Sequence, residues 1–429
     1  MVRRSSSKSA TLRLWVMPNA GFATRKVLDR EIQAFRRHHP HVNVELTIHP
    51  WFRAWNLLMD VAKGRQDAEG PDVMQVGTTW ISTLAFLGLL SPIMGSEKTF
   101  NGDSFLPRSW DSCRTSGKEV IYAVPWFLDL RVLYYRKDIL DNMGISKGFL
   151  EDWTGFSAAC QQLLEWRRRA EGAPYPLSVS SQKPGVQIHD LAPWVWSAGG
   201  DFLDPLKNVS QLASPETVEG LSFFFGLVAG GAVPLLGRDA AIPMGSIFRG
   251  DYAMQICGVW PVGSALNPSH PDYRPGVAKN LDVTFIPRGP RGRSTFIGGS
   301  NLAVSARSRH PEEAWALVKF LSTRESQVRH CLAISALPVR RDSLDDVFAR
   351  HEKAKSVFLG SIDFARPFHS VVAMGSVERA VWYFGEQVLK LIQDSNYDAH
   401  TLGVEIEKVD REIGTIVSFY GAGETLRAS

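Results

Sequence analysis

Two hydrophobic periods alternate along the first part of the chain, and no other feature constrains the fold as tightly. Leu12, Leu14 and Val16 put apolar side chains at every second residue, the spacing of a strand buried on one face. Leu28, Ile32 and Phe35 then recur at helical spacing as far as Pro40, after which Val42, Val44, Leu46 and Ile48 alternate again. A second helix is expected over residues 54–62 and a short buried strand over 72–76. Strand, helix, strand, helix, strand argues a parallel sheet covered by helices, and such sheets place ligands beyond the carboxyl ends of their strands. The loops at residues 18–22, 50–53 and 77–80 are the expected walls of a binding site.

A chain of 429 residues is too long for one ordinary core, so two lobes are expected. A net charge of +4 with scattered basic residues argues against a dedicated nucleic-acid surface. Cys113, Cys160, Cys257 and Cys331 lack the close pairing of a zinc site and read as buried free thiols, with one or two disulfides open as an alternative outside the cytoplasm. His38, His39 and His41 flank Pro40 without the i, i+4 spacing of a zinc helix, and read as a polar helix end. The start, Met1-Val2-Arg3-Arg4-Ser5, is basic but has no apolar stretch of the kind an export signal needs. Either a leader was removed ahead of it or the protein stays in the cell. The longest apolar run, residues 221–236, is broken by glycines and a proline and is no membrane span.

The apolar and aromatic run over residues 122–138 is where the chain is expected to leave its first lobe. Further helices are expected over 153–169, 215–229, 311–322 and 377–394. Pro215 with Glu216, and Pro311 with Glu312, set proline and acid where a first helical turn favours them.

Several segments resemble one family, the extracellular solute-binding proteins of ABC importers in their carbohydrate-binding, maltose-type branch. The most specific is Gly117-Lys118-Glu119-Val120-Ile121-Tyr122-Ala123-Val124-Pro125-Trp126, continued by Arg131-Val132-Leu133-Tyr134-Tyr135-Arg136-Lys137-Asp138. Next are Phe248-Arg249-Gly250-Asp251-Tyr252-Ala253-Met254 ahead of Gly258-Val259-Trp260, Gly298-Gly299-Ser300-Asn301-Leu302-Ala303-Val304, Pro71-Asp72-Val73 ahead of Gly88-Leu89-Leu90, and Pro311-Glu312-Glu313-Ala314-Trp315. All fall in the family's order across residues 12–391. The resemblance implies an α/β, two-lobed periplasmic-binding-protein fold. Each lobe would be a mostly parallel sheet flanked by helices, with the ligand cleft between lobes. Residues 11–128 with 285–325 would form the N-terminal lobe, and 129–284 with 326–429 the C-terminal one. It further implies a monomer without cofactor, periplasmic or extracellular, that closes by a hinge on a sugar and delivers it to membrane permease subunits.

Thirteen tryptophans suit that role, because the apolar face of a pyranose stacks on an aromatic plane. The resemblance places Trp260 at a strand end facing the ligand, although a lone tryptophan is more often core. Trp126 and Trp196 carry similar arguments. Asp129 and Arg131 interrupt an apolar stretch and need a partner or a ligand, a mutual ion pair being as good a reading as ligand contact. Asp129 also matches a position from which relatives bind sugar hydroxyls. Thr79 and Trp80 end the third strand, with a surface helix start as the plain alternative. Gly299 and Ser300 follow Gly298 as a close backbone approach or simply a tight strand entry. Arg366 reads as a ligand contact or a solvated arginine, and Asn19, Phe22, Trp51 and Arg53 complete the set from the first two loops.

A glycosidase would need two carboxylates at fixed separation, and Asp129 has no identifiable partner. No nucleophile elbow, phosphate loop or zinc helix is present in the sequence. An anionic solute held by Arg53, Arg131 and Arg249 is the alternative within binding, and a sensory sugar-binding module is a third.

Overall fold

The protein is described by a computed structural model covering residues 9–19, 24–65, 70–93, 100–115, 120–179, 186–235, 246–258, 273–334, 336–348 and 352–428. Trp260, Phe22 and the stretch Gly117-Lys118-Glu119 lie outside the described residues. The chain forms two compact units, the first comprising Met1–Asp129, Gly298–Arg350 and Pro367–Gly375, the second Leu130–Ile297, His351–Arg366 and Ser376–Ser429.

In the first unit, β1 (Ala10–Val16), β2 (Val42–Ile48) and β3 (Val73–Gly77) are the strands expected from the alternation. β1 pairs in parallel with both β2 and β3. The connecting helices α1 (Thr24–His38) and α2 (Trp51–Ala62) supply the crossovers that parallel pairing requires. The sheet continues from β3 through β11 (Thr295–Val304) and β4 (Val124–Leu130) to β12 (Leu337–Pro338), with β11 antiparallel to β3 and β12 antiparallel to β4. Side chains of β1 alternate between buried and partly exposed, as a strand with one core face must.

Residues 326–350 belong with the first unit, whereas the sequence groups them with the second lobe. A buried charge is one of the contacts that join them to it. Glu31 on α1 is 4% exposed and takes a forked pair from Arg329 at 3.0 and 2.9 Å and a hydrogen bond from Ser326 Oγ at 2.7 Å. Both partners lie on one helix, Arg324–Ile334, which is thereby fixed against α1. Residues 367–375 join the same unit because Ser82 and Thr83 donate to the carbonyls of Ser370 and Val372 at 2.6 and 2.5 Å.

The second unit holds the sheet β10-β5-β9-β6, formed by Leu281–Thr284, Val132–Arg136, Tyr252–Cys257 and Tyr175–Val179. Only β6 and β9 are parallel; β5 is antiparallel to both β9 and β10. The expectation of a mostly parallel sheet in this lobe is corrected accordingly. β5 and β9 are short and buried on both faces, so they lack the alternation that would mark an antiparallel strand with one wet face. The helix Trp153–Arg169 is capped by Asp152, which accepts from Gly155 N at 2.9 Å, and Pro215–Ala229 is capped by Ser214, which accepts from Thr217 N. Between them lies Ile188–Ser197, and beyond them runs the 30-residue helix Ala399–Ala428, which was not among the expected helices although Leu402, Ile406, Val409, Ile413 and Val417 recur at helical spacing and are buried.

All four cysteines are buried free thiols, and burial pushes the thiols of Cys113, Cys160 and Cys331 well above their ordinary pKa. His39 stacks on Phe35 at 4.5 Å, and burial followed by the neighbouring His41 and His38 holds its pKa below the ordinary value, which fits a packed helix end. Among the described residues no cluster of three metal-ligating side chains occurs, and no helix is long and apolar enough to cross a membrane.

Candidate functional site

In the first unit the carboxyl ends of β1, β2 and β3 present Asn19, Trp51 and the turn Thr78–Trp80 in one neighbourhood. A buried glutamine, Gln75, ties them together. Its Oε1 accepts from Met17 N at 2.9 Å, while its Nε2 donates to Asn19 Oδ1 at 3.1 Å and to Ser300 Oγ at 2.5 Å. Every hydrogen-bonding position used by Gln75 therefore fixes a segment that ends or enters the sheet. Asn19 N donates to Thr24 Oγ1 at 3.0 Å, which holds the loop start against the first turn of α1. Asn19 Nδ2 is buried and has no hydrogen-bond partner among the described residues.

The aromatic component is a cluster of three indoles. Trp80 lies 5.5 Å from Trp55 and 6.3 Å from Trp51, centroid to centroid, and Trp51 Nε1 donates to the carbonyl of Pro18 at 3.2 Å. Trp51 is half-buried, whereas Trp80 and Thr79 are 6% and 4% exposed. Trp55 is a member of this group that the sequence did not single out. Its signal is the i, i+4 spacing from Trp51 on one face of α2. Gly375 packs on the Trp55 ring so closely that a Cβ there would overlap the indole.

Thr78 and Gly299 exchange two hydrogen bonds of 3.1 Å, side chain to carbonyl and amide to side chain. A Cβ at Gly299 would collide with the carbonyl of Phe127. Glycine is needed there for strand packing, and Ser300, 3% exposed, is committed to Gln75.

Trp126 is a core residue, a correction to its reading as a ligand contact. It is fully buried in β4 and stacked on His330 at 4.4 Å. Arg131, 5% exposed, donates to Asp190 Oδ1 at 3.4 Å, within its own unit. Asp129 is half-buried at the end of the first unit's opening stretch. Next to Arg131, burial and then the guanidinium press the pKa of His189 down to about 3.

In the second unit the sequence-predicted residues Trp196 and Arg366 do meet. The Arg366 guanidinium lies 4.9 Å over the Trp196 ring and donates to Asp201 Oδ2 at 2.6 Å. Trp196 Nε1 donates to Asp201 Oδ1 at 3.2 Å. Asp201 thus orients both partners, and it is itself held through its backbone by Thr217. It was not among the expected residues, although it directly follows the Trp194-Val195-Trp196-Ser197-Ala198-Gly199-Gly200 run. Arg366 keeps 40% of its side chain exposed.

Two compact α/β units, with aromatic rings and amides gathered at the carboxyl edge of the first sheet, are the build of a solute-binding protein. The chain belongs to the family of bacterial extracellular solute-binding proteins, whose pattern matches residues 21–328. A probable ABC transporter-binding protein of Deinococcus radiodurans is 27% identical over 229 residues; the match covers 52% of each chain, so this chain spans about half the length of that relative. The diacetylchitobiose binding protein DasA of Streptomyces coelicolor is 26% identical over 272 residues, which cover 62% of this chain and 60% of that one. The GacH receptor of Streptomyces glaucescens, known unliganded and with acarbose, has a similar structure, with a TM-score of 0.79 and 22% identity over 95% of this chain and 99% of the receptor.

Proposed function

We propose that this protein is the ligand-binding component of an ABC uptake system for a neutral sugar or oligosaccharide, which it binds without cleaving and hands to a membrane permease. The observation that carries this reading is the group at the carboxyl edge of the first sheet, where Gln75 fixes Asn19 beside the half-buried Trp51. An indole offers a stacking face to a sugar ring, and an amide offers a hydrogen bond to its hydroxyls. The family supports the transport role, and the relative that binds diacetylchitobiose supports the ligand class.

The anionic alternative draws on Arg53, Arg131 and Arg249. Arg131 is held by Asp190, and Arg249 donates to Asp251 at 3.1 Å, so two of the three guanidinium charges are already matched by carboxylates. That favours a neutral ligand. A thermal-shift screen of neutral mono- and oligosaccharides beside sugar phosphates tests the reading, because a ligand that binds only the folded state raises the melting temperature. A shift with one neutral class is expected; a shift with phosphorylated compounds alone would replace it by the anionic reading. Incubation with the bound oligosaccharide should return it intact, and appearance of shorter products would make the protein a hydrolase.

A further inference from the structure

The second unit contains a cavity of about 600 Å³ lined by none of the candidate site residues described above, within the 300–1,000 Å³ span common for small-molecule sites. Its floor is aromatic. Trp153 and Phe223 stack in parallel at 4.1 Å with 13° between their planes, and Phe223 is half-buried. Thr154, Ser157 and Gln161 line one wall from the first turns of the helix Trp153–Arg169, and the turn at Arg288 and Gly289 forms the other.

Trp153 is 8% exposed, so the half-buried Phe223 presents most of the aromatic surface. Two charges limit the occupant. The helix N-terminus would favour an anion, but Asp152 already caps it and brings a carboxylate to the same wall. Arg288, exposed at the rim, opposes a cation. What remains is a neutral ring with an apolar face for Phe223 and hydroxyls for Ser157, Thr154 and Gln161.

The cavity is also separate from the pairing of Trp196 with Arg366. Trp194 packs against Phe223 at 5.3 Å and Trp153 at 6.0 Å. Trp194 and Trp196 are two residues apart on the helix Ile188–Ser197, hence about 200° apart around its axis. The helix therefore turns one indole to the cavity side and the other to Asp201. The wall at Gly289 rests on the end of the same helix, since a Cβ there would stand 2.7 Å from the carbonyl of Ser197.

We propose that this cavity is a second binding site, of lower affinity, for a single neutral sugar ring, behind the helix that carries Trp196. It does not depend on where the main ligand binds. Fluorine NMR of the full chain labelled with 5-fluorotryptophan tests it, with the Trp153 resonance assigned through Trp153→Phe and D-glucose, N-acetylglucosamine and maltose as probes. A saturable displacement of the Trp153 resonance in the millimolar range is expected. It should be lost in Ala158→Trp, which fills the cavity from its helical wall, and in Gln161→Ala, which removes only a polar contact. No displacement with any probe, or the same displacement in both variants, overturns the proposal. The resonances of Trp51 and Trp80 in the same spectra report the main reading separately, so either can fail without the other.

Discussion

The imidazole of His330 stacks on the indole of Trp126 at 4.4 Å with 19° between planes, and neither ring nitrogen of His330 has a hydrogen-bond partner among the described residues. A histidine in that position is packed as an aromatic ring. Burial holds its pKa down to about 3. The folded state therefore excludes a proton that the unfolded chain accepts near pH 6.5, and stability is complete above that pH and declines as pH falls from there towards 3. At pH 5 His330 should lower the unfolding free energy by about 2 kcal/mol relative to pH 8. Denaturant unfolding at both pH values checks this: His330→Phe should reduce the difference by that amount, His189 still contributing its own share, and an unchanged difference would show that His330 does not contribute.

Much of the architecture was readable because it rests on periodicity. The alternation of Leu12, Leu14 and Val16 and the proline and acid at Pro215 and Glu216 specify local structure through single residues, and those elements stand where they were expected. The pairing of Glu31 with Ser326 and Arg329 was not readable, because it joins positions 295 and 298 residues apart and each residue alone is an ordinary surface type. The same holds for the site. Trp51, Trp80 and Asn19 followed from the rule that ligands gather at strand ends, whereas Gln75 looks like an interior strand residue until its three partners are seen. Trp126 misled for the opposite reason. Its motif marks the strand that leaves the first unit, and the motif does not say which face the indole takes.

Gln75→Leu removes the three side-chain hydrogen bonds from β3 to Met17, Asn19 and Ser300 while roughly preserving volume. The amide of Met17 would be left buried without an acceptor, at a cost of roughly 1–3 kcal/mol. The variant should unfold at lower denaturant concentration and bind its ligand more weakly, since Asn19 is no longer positioned. Equal stability by chemical denaturation would show that the network contributes nothing.

Asp201→Asn keeps an acceptor for Trp196 Nε1 but removes the charge that holds Arg366. A charge-assisted hydrogen bond is worth about 1.5–3 kcal/mol. If Arg366 contacts the ligand, affinity should fall about tenfold, each 1.4 kcal/mol being a factor of ten. Calorimetric titration beside Arg366→Gln tests the linkage: the two variants should lose similar affinity and the double variant little more. Additive losses would mean that Asp201 and Arg366 act separately.

Isothermal titration of the wild-type chain and Trp51→Ala with the neutral saccharide that gives the largest thermal shift is the most direct test of sugar binding at the first sheet's carboxyl edge. The account predicts one saturable event in the wild type. It also predicts a loss of about 2 kcal/mol, roughly thirtyfold, when the half-buried indole is removed. Unchanged affinity in Trp51→Ala, or heat only with phosphorylated sugars, would contradict it.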